Sequence, residues 1–243
     1  MIEQSITKNY ILNLGICPDN SDVEKLHAYL EILFEYNKNI NLVGTKNRDE
    51  ILTRHFYDCL SIFSFLNCSE IKKIKIDKLL DIGTGAGLPG ILISIFLKNS
   101  EIYLLDSKNK AITFLEKVIN ALNLDNAHVI SGRAEELAHD IKYREQFDVV
   151  VSRALAKTSV LTEIAMPFCK IGGRAIMYKS KNLKEELSNS NKIINAVGAE
   201  TESMLEVKIP CLDEYRVLLI LRKIIPTIYK YPRKYCKILS EPL

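Results

Sequence analysis

From about residue 76 the chain alternates short apolar runs with amphipathic stretches, and this alternation restricts the fold more than any other feature. The runs at 78–82, 102–106, 127–130, 147–151 and 174–178 read as strands. Helical periodicity fills the intervals, over 88–97 and again over 110–122, where Ile112, Leu115, Ile119 and Leu122 share one side. Strands separated by helices build a parallel sheet through right-handed crossovers. After a helix-like stretch at 182–197 the pattern changes. The runs 202–209 and 215–221 are joined by Pro210-Cys-Leu-Asp-Glu214, too little chain for a crossover helix, so they are expected to pair antiparallel at the sheet edge.

The expected fold class is therefore α/β. A mostly parallel, doubly wound sheet with an antiparallel edge hairpin is the Rossmann-like arrangement of class I methyltransferases, an identification that rests on fold analogy. A small N-terminal helical region precedes it. Ser21-Asp-Val-Glu24 has the form of a capping box, and Val23, Leu26, Leu30, Leu33 and Phe34 mark one apolar face, which predicts a helix over 22–38. Asn37-Lys-Asn-Ile-Asn41 and Gly44-Thr-Lys-Asn47 read as the following loop, and helical patterning resumes over 51–66 around Arg54-His-Phe-Tyr-Asp58. The expected division is a helical region at 1–68 and an α/β domain at 69–243, the part expected to carry the chemistry.

With 243 residues, 47% of them hydrophobic and 26% charged, the chain holds enough apolar side chains for a large core and lacks the bias of a disordered or fibrous protein. Its apolar stretches, such as 91–97 with its Ser94, fall far short of the ~20 residues that cross a bilayer. The first residues have neither a basic start nor an apolar run of signal-peptide length. No membrane partner and a cytoplasmic address are expected. Cys17, Cys59, Cys68, Cys169, Cys211 and Cys236 form no Cys-x-x-Cys pair and have no His at ligand spacing, so they read as reduced structural residues, with no metal site.

The segment Asp81-Ile-Gly-Thr-Gly-Ala-Gly-Leu-Pro-Gly90 follows an apolar strand and precedes a helix, which puts it at the carboxyl edge of the sheet, where doubly wound folds bind ligands. Gly83, Gly85 and Gly87 permit a sharp turn and close approach to a ligand, and Pro89 suits the first turn of the next helix. Two cofactors fit these letters. Gly85-x-Gly87-x-x-Gly90 satisfies the dinucleotide fingerprint, whereas Asp81 with Gly83-x-Gly85-x-Gly87 is a methyl-donor pattern, the acid supporting the methionine end of the cofactor through the loop. Asp106, ending the next strand, suits a carboxylate accepting ribose hydroxyls in either cofactor, with a helix N-cap as its alternative. The surroundings favour methyl transfer: the strand at 147–153 runs into a polar site, nothing resembles a hydride-transfer centre, and a helical preface is unusual for a dehydrogenase. Lys170-Ile-Gly-Gly-Arg174 reads as the turn before the fifth strand, and Arg153 has an interior ion pair with Asp148 or Glu135 as its alternative to a site role.

A net charge of +3 does not announce a nucleic-acid partner, so its distribution matters more. From Tyr215 to Ser240 there is no acidic residue, while Arg216, Arg222, Lys223, Lys230, Arg233, Lys234 and Lys237 interleave with Tyr215, Tyr229, Tyr231 and Tyr235. Such a tail fits a solvated face or an RNA contact, in which cations attract phosphates and aromatics stack on exposed bases.

Together these residues resemble a known family, the bacterial small-subunit ribosomal RNA methyltransferase G, once called glucose-inhibited division protein B. The resemblance runs nearly the full chain and rests on Tyr36-Asn-Lys-Asn-Ile-Asn-Leu42, Arg54-His-Phe-Tyr-Asp58, the glycine loop with its Gly-Leu-Pro-Gly90 ending, Leu104-Leu-Asp-Ser107, Gly132-Arg-Ala-Glu-Glu136, Ser152-Arg-Ala154 and Tyr231-Pro-Arg-Lys234. It implies methyl transfer from S-adenosylmethionine to N7 of one guanine in the 530 loop of 16S ribosomal RNA, free or within the small ribosomal subunit. Separately from the resemblance, a monomer is expected. Carried over by motif, the cofactor contacts are Gly83, Leu88, Ala134, Glu135 and Arg153, with Asp106 on the ribose. RNA contacts are expected from Lys179, Lys181, Lys184, Arg233 and Lys234. The chain departs from the family in Lys179-Ser180, where Lys-Gly is frequent, and in Tyr235-Cys-Lys-Ile238, where the tail often contains Gly. Guanine N7 carries a free lone pair, so the reaction needs no general base, and positioning alone supplies ~7 to 11 kcal/mol. Arg153 is assigned to orienting cofactor or base, and His55 and Asp58, three apart on one helix face, either reach the pocket or pair locally.

Overall fold

Seven strands, β1 (Lys78–Ile82), β2 (Glu101–Asp106), β3 (Ala127–Ser131), β4 (Phe147–Arg153), β5 (Cys169–Lys179), β6 (Ala199–Val207) and β7 (Arg216–Lys223), form one sheet in the order β3-β2-β1-β4-β5-β7-β6. The structure, a computed structural model, describes residues 2–68, 71, 75–154, 156–180 and 183–243. The first five strands are parallel, and β7 runs antiparallel to both β5 and β6. The chain winds outward from β1 to β3, then crosses back to lay β4 on the other side of β1. That reversal opens a crevice between the carboxyl ends of β1 and β4.

The strands read as apolar runs because both faces are covered. Leu79, Leu104, Val151, Ile176 and Leu218 point into one core, and their neighbours Leu80, Leu105, Val150, Met177 and Leu219 point into the other. The first core is capped by α6 (Gly90–Phe96), α7 (Asn109–Leu122) and the N-terminal helices, chiefly α1 (Ile2–Asn13), α2 (Asn20–Asn37) and the stretch from α3 (Arg48–Glu50) through a π-helical turn at Ile51–Tyr57 to α4 (Asp58–Leu60) and α5 (Phe63–Leu66). The second lies under α8 (Ala134–Leu137), α9 (Thr158–Ala165), α10 (Leu183–Ser188), α11 (Asn191–Ala196) and α12 (Tyr235–Ser240). The helical preface shares its core with α6 and α7. The boundary expected after residue 68 adjoins residues 69 and 70, outside the described residues.

Several local expectations change. The cap of α2 is Asp19, not Ser21: its backbone is extended, its carboxylate accepts from Asp22 N at 2.9 Å, and Asp19 N donates back to Asp22 at 3.1 Å. Ser21 already lies inside the first turn, so its side chain cannot precede it. Pro89 sits at the cap of α6, one residue ahead of the helix rather than in its first turn. Lys170 to Arg174 is not a turn before β5 but part of it, with a register shift opposite Phe147 and Val149 and Gly172 at φ +81°. The stretch 182–197 is two helices broken near Ser190, whose hydroxyl bonds back to Glu186 O at 2.6 Å; Asn182 lies outside the described residues. The hairpin does pair as expected, but β7 is interior and β6 alone forms that edge.

Candidate active site

The glycine loop is shaped from beneath by Asp81, which is fully buried. Its Oδ2 accepts from Thr84 Oγ1 at 2.6 Å and Gly90 N at 2.8 Å, joining the two ends of the loop. A Cβ at Gly90 would come within 2.1 Å of Leu104 Cδ2 and 2.9 Å of Asp81 Oδ2, so only glycine lets α6 start this close to the sheet. Burial pushes the Asp81 carboxyl up to about 7 against the hydrogen bonds from Thr84 and Gly90. Among the described residues its Oδ1 has no hydrogen-bond partner.

Asp106 ties this loop to the next one. Its Oδ2 accepts from Gly85 N and its Oδ1 from Lys108 N, each at 2.9 Å. The N-cap position of α7 belongs to Lys108, so Asp106 is not the helix cap. The loops enclose a hollow of about 420 Å³ running along the sheet edge, from Arg153 and Ala154 past Gly83 and Gly85 to Asp106 and then Gly132, Ala134 and Glu135. Six of the expected cofactor residues, Gly83, Gly85, Asp106, Ala134, Glu135 and Arg153, thus line one cavity. Asp81, Gly87 and Leu88 are not among its lining residues: Asp81 supports the loop, Gly87 packs toward Ile91 and Leu115, and Leu88 is buried in the core beside α6.

The hollow suits S-adenosylmethionine. A Cβ built at Gly85 meets no neighbour closer than 4.0 Å, so the bare loop leaves space there, and a carboxylate stands midway for ribose hydroxyls. Its volume falls in the usual range of cofactor pockets.

One wall comes from the helical preface. Asn37, buried at the end of α2, donates to Val43 O and Thr45 O and accepts from Leu42 N and Val43 N, folding the loop so that Asn41 and Leu42 border the hollow. Lys110 Nζ then bonds Asn41 O at 3.2 Å, and Tyr29 OH donates to Ala86 O in the glycine loop. Sequence reading did not assign Asn41, Leu42, Lys108, Lys110 or Tyr235 to the cofactor. The motif Tyr36 to Leu42 was the available signal for the first two, since a run rich in Asn serves loops that need side-chain bonds to the backbone.

Arg153 holds the preface to the sheet. Its Nε donates to Asp58 Oδ2 at 2.8 Å, and its Nη2 to Arg54 O and His55 Nδ1, each at 3.0 Å. Neither interior partner expected for it is used: Asp148 accepts from Lys170 Nζ and the Asp77 and Lys78 amides, and Glu135 pairs with Arg133. His55 and Asp58 meet Arg153 rather than one another, presented by the π-helical turn and the residues that follow it, a geometry frequent at functional sites. Burial, reinforced by Arg153 and Arg54, lowers the His55 imidazole to about 4, so at neutral pH it is the uncharged acceptor this contact requires.

A second hollow of about 420 Å³ adjoins the first through Arg153 and Ala154 and is bordered by Asp58, Tyr178, Lys179, Glu186 and Arg216. Lys179 is internally engaged, its Nζ donating to Glu186 at 2.9 Å and Ala156 O at 3.2 Å. Arg233 is engaged more completely: its amide, Nε and Nη2 donate to buried Glu163 and its Nη1 to Glu241 O. Lys223 is fully buried against Met166 O. The basic tail is therefore not a uniform solvated face, although Lys234 is exposed. Lys181 and the Lys184 side chain lie outside the described residues. The six cysteines are free, and among the described residues no group of three His, Cys, Asp or Glu is placed to hold a metal, and no helix is long and apolar enough to cross a membrane.

The family model GidB, described as rRNA small subunit methyltransferase G, matches residues 22–214. Ribosomal RNA small subunit methyltransferase G from Clostridium tetani is 39% identical over 231 residues, 95% of each chain. The protein of the same name from Clostridium botulinum is 40% identical over 219 residues, 90% of each. Among solved structures, a mutant of MtNAS aligns with a TM-score of 0.51 at 18% identity, over 84% of this chain and 75% of that one. A structure concerned with conversion of a disulfide bond into a thioacetal group during echinomycin biosynthesis aligns at 0.50 and 18%, over 66% and 81%. At such identities these two likenesses speak for the fold alone.

Proposed function

The chain belongs to the rRNA small subunit methyltransferase G family, and from that membership we propose that it transfers a methyl group from S-adenosylmethionine to N7 of one guanine in the 530 loop of 16S ribosomal RNA. The observation that carries the reading is the pair of hollows meeting at Arg153 and Ala154, one with a carboxylate and bare glycine backbone for a nucleoside, the other open beside it. S-adenosylmethionine, when bound, supplies a methyl group activated by sulfonium charge.

The chain's own residues then bind and align. Asp106 receives ribose hydroxyls while keeping the Gly85 and Lys108 amides in place. Gly83, Gly85, Ala134 and Glu135 form the walls, with Asp81 and Leu88 supporting the loop from the core side. Arg153 stands at the junction of donor and acceptor hollows, oriented by Asp58 and His55. Guanine N7 needs no proton removed, which agrees with a His55 already committed to accepting from Arg153. Rate enhancement comes mainly from alignment, worth ~7 to 11 kcal/mol in well-oriented systems. RNA contact is assigned to exposed Lys234 on the tail, to Lys181, and to the rim of the second hollow, where Lys179 and Arg216 stand. The proposed unit is a monomer, acting in the cytoplasm where such a substrate is made.

The test is methyl transfer from labelled S-adenosylmethionine to small ribosomal subunits lacking the modification, with the labelled base mapped. Label at N7 of a single guanine in the 530 loop is expected. No label in RNA overturns the proposal, and thermal stabilisation by NAD but not by S-adenosylhomocysteine would replace it with the dinucleotide reading.

A further inference from the structure

The donor hollow is bordered near the end of β3 by a side chain that belongs to neither the sheet nor its loops. Tyr235, the first residue of α12, borders the hollow beside Arg133, Ala134 and Glu135. Its ring is half-buried, and the Arg133 guanidinium lies 5.5 Å from the ring centroid, itself held by Glu135 at 2.6 Å. The chain on either side is anchored. Two residues earlier Arg233 is locked to buried Glu163; three residues later Ile238 is buried in the core that contains α9. His139 also bonds Pro232 O at 2.8 Å. Tyr235 is thus set at a fixed depth in the wall.

Strand order decides which part of the cofactor meets it, given the methyl-donor reading on which this inference rests. The transferable methyl has to face the second hollow, which opens at Arg153 and Ala154 after β4. Asp106, at the end of β2, serves the ribose. Strand β3 lies beyond β2, on the side away from β1 and β4, so the purine is the part left for that end. The geometry points to Tyr235 as a cofactor-binding residue of this chain, with its ring and Arg133 forming the wall on which the adenine of S-adenosylmethionine stacks. The base offers a flat π face to an aromatic ring and a guanidinium, both of which stack on bases. The C-terminal segment then serves the cofactor site as well as any RNA.

Equilibrium binding of S-adenosylhomocysteine and of adenosine, measured by calorimetry on the full chain, tests this. Tyr235→Phe keeps the ring and is expected to bind both within about two-fold of the unaltered chain, whereas Tyr235→Leu keeps apolar bulk without a π face and is expected to lose about ten-fold for both. Unfolding midpoints without ligand show whether each variant is folded, and the Phe and Leu variants decide the matter even if Tyr235→Ala is unstable. Unchanged affinity of Tyr235→Leu for either probe overturns the placement alone. Absence of binding by the unaltered chain overturns the methyl-donor site and this placement with it.

Discussion

Removing the carboxylate that holds Arg153 tests how the helical preface is coupled to the site. The Asp58 and Arg153 side chains are 6% and 14% exposed and meet at 2.8 Å, and Arg216 Nε approaches the other Asp58 oxygen at 3.4 Å. Deleting one partner of a buried pair leaves an uncompensated charge and costs about 3 to 5 kcal/mol. Arg153 keeps its bonds to Arg54 O and His55, so the lower end applies, about 3 kcal/mol for Asp58→Ala. For a chain of this size that lowers the melting midpoint by about 6 to 12 °C. Part of the loss is the stranded guanidinium, so Asp58→Ala with Arg153→Met should cost less than the sum of the single changes, by about 1 to 3 kcal/mol. Urea unfolding of the four proteins measures this, with unchanged m-values as the check on two-state behaviour. Additivity within about 0.5 kcal/mol would refute the coupling. S-adenosylhomocysteine affinity, followed in parallel, is expected to fall in Asp58→Ala, because Arg153 is no longer held at the hollow.

Three further outcomes follow from the geometry. Gly90→Ala forces a methyl against Leu104 and Asp81 and should cost about 1 to 3 kcal/mol of stability, with weaker S-adenosylhomocysteine binding; a neutral effect on both would show that α6 can retreat. The native Asp81 carboxyl is raised by burial from 3.8 to about 7, so the native state holds its proton more tightly than the unfolded chain does. Its contribution is therefore fully present below about pH 4 and is lost as pH rises toward 7, with a slope of at most about 1.4 kcal/mol per pH unit. Asp81→Asn should flatten that part of the ligand-free stability profile, and parallel profiles for the two proteins would contradict the shift. Arg233→Ala strands the Glu163 carboxylate and should cost about 3 kcal/mol while leaving the salt dependence of RNA binding alone. Lys234→Ala should do the reverse, lowering the salt slope by about 0.7 to 0.9 with little change in melting; filter-binding across a salt series distinguishes them.

The parallel strands were legible because burial on both faces writes them as apolar runs, and β1 agrees with its expected bounds residue for residue. The glycine loop and Asp106 were legible for a related reason: close backbone approach and a carboxylate at a strand end are local requirements carried by a few adjacent letters. Bulges and breaks were not. Gly172 and Gly173 read as a turn because glycine marks irregular backbone without saying whether a partner strand continues beside it. Ser21 and Asp19 both have capping side chains, and which one caps depends on where the chain leaves the extended conformation.

From sequence alone came the sheet with its crossovers, the glycine loop at its carboxyl edge and the family. Each is encoded in periodicity or in contiguous motifs, which need no knowledge of what lies across the fold. Tertiary structure decided which charges remain available. Arg153 finds Asp58 across 95 positions, and Arg233 finds Glu163 across 70, pairings that no local pattern specifies. It also brought Asn41 and Tyr235 from opposite ends of the chain to one hollow. A side chain's type sets what it can bind, but its partner is whatever the packed elements place within reach.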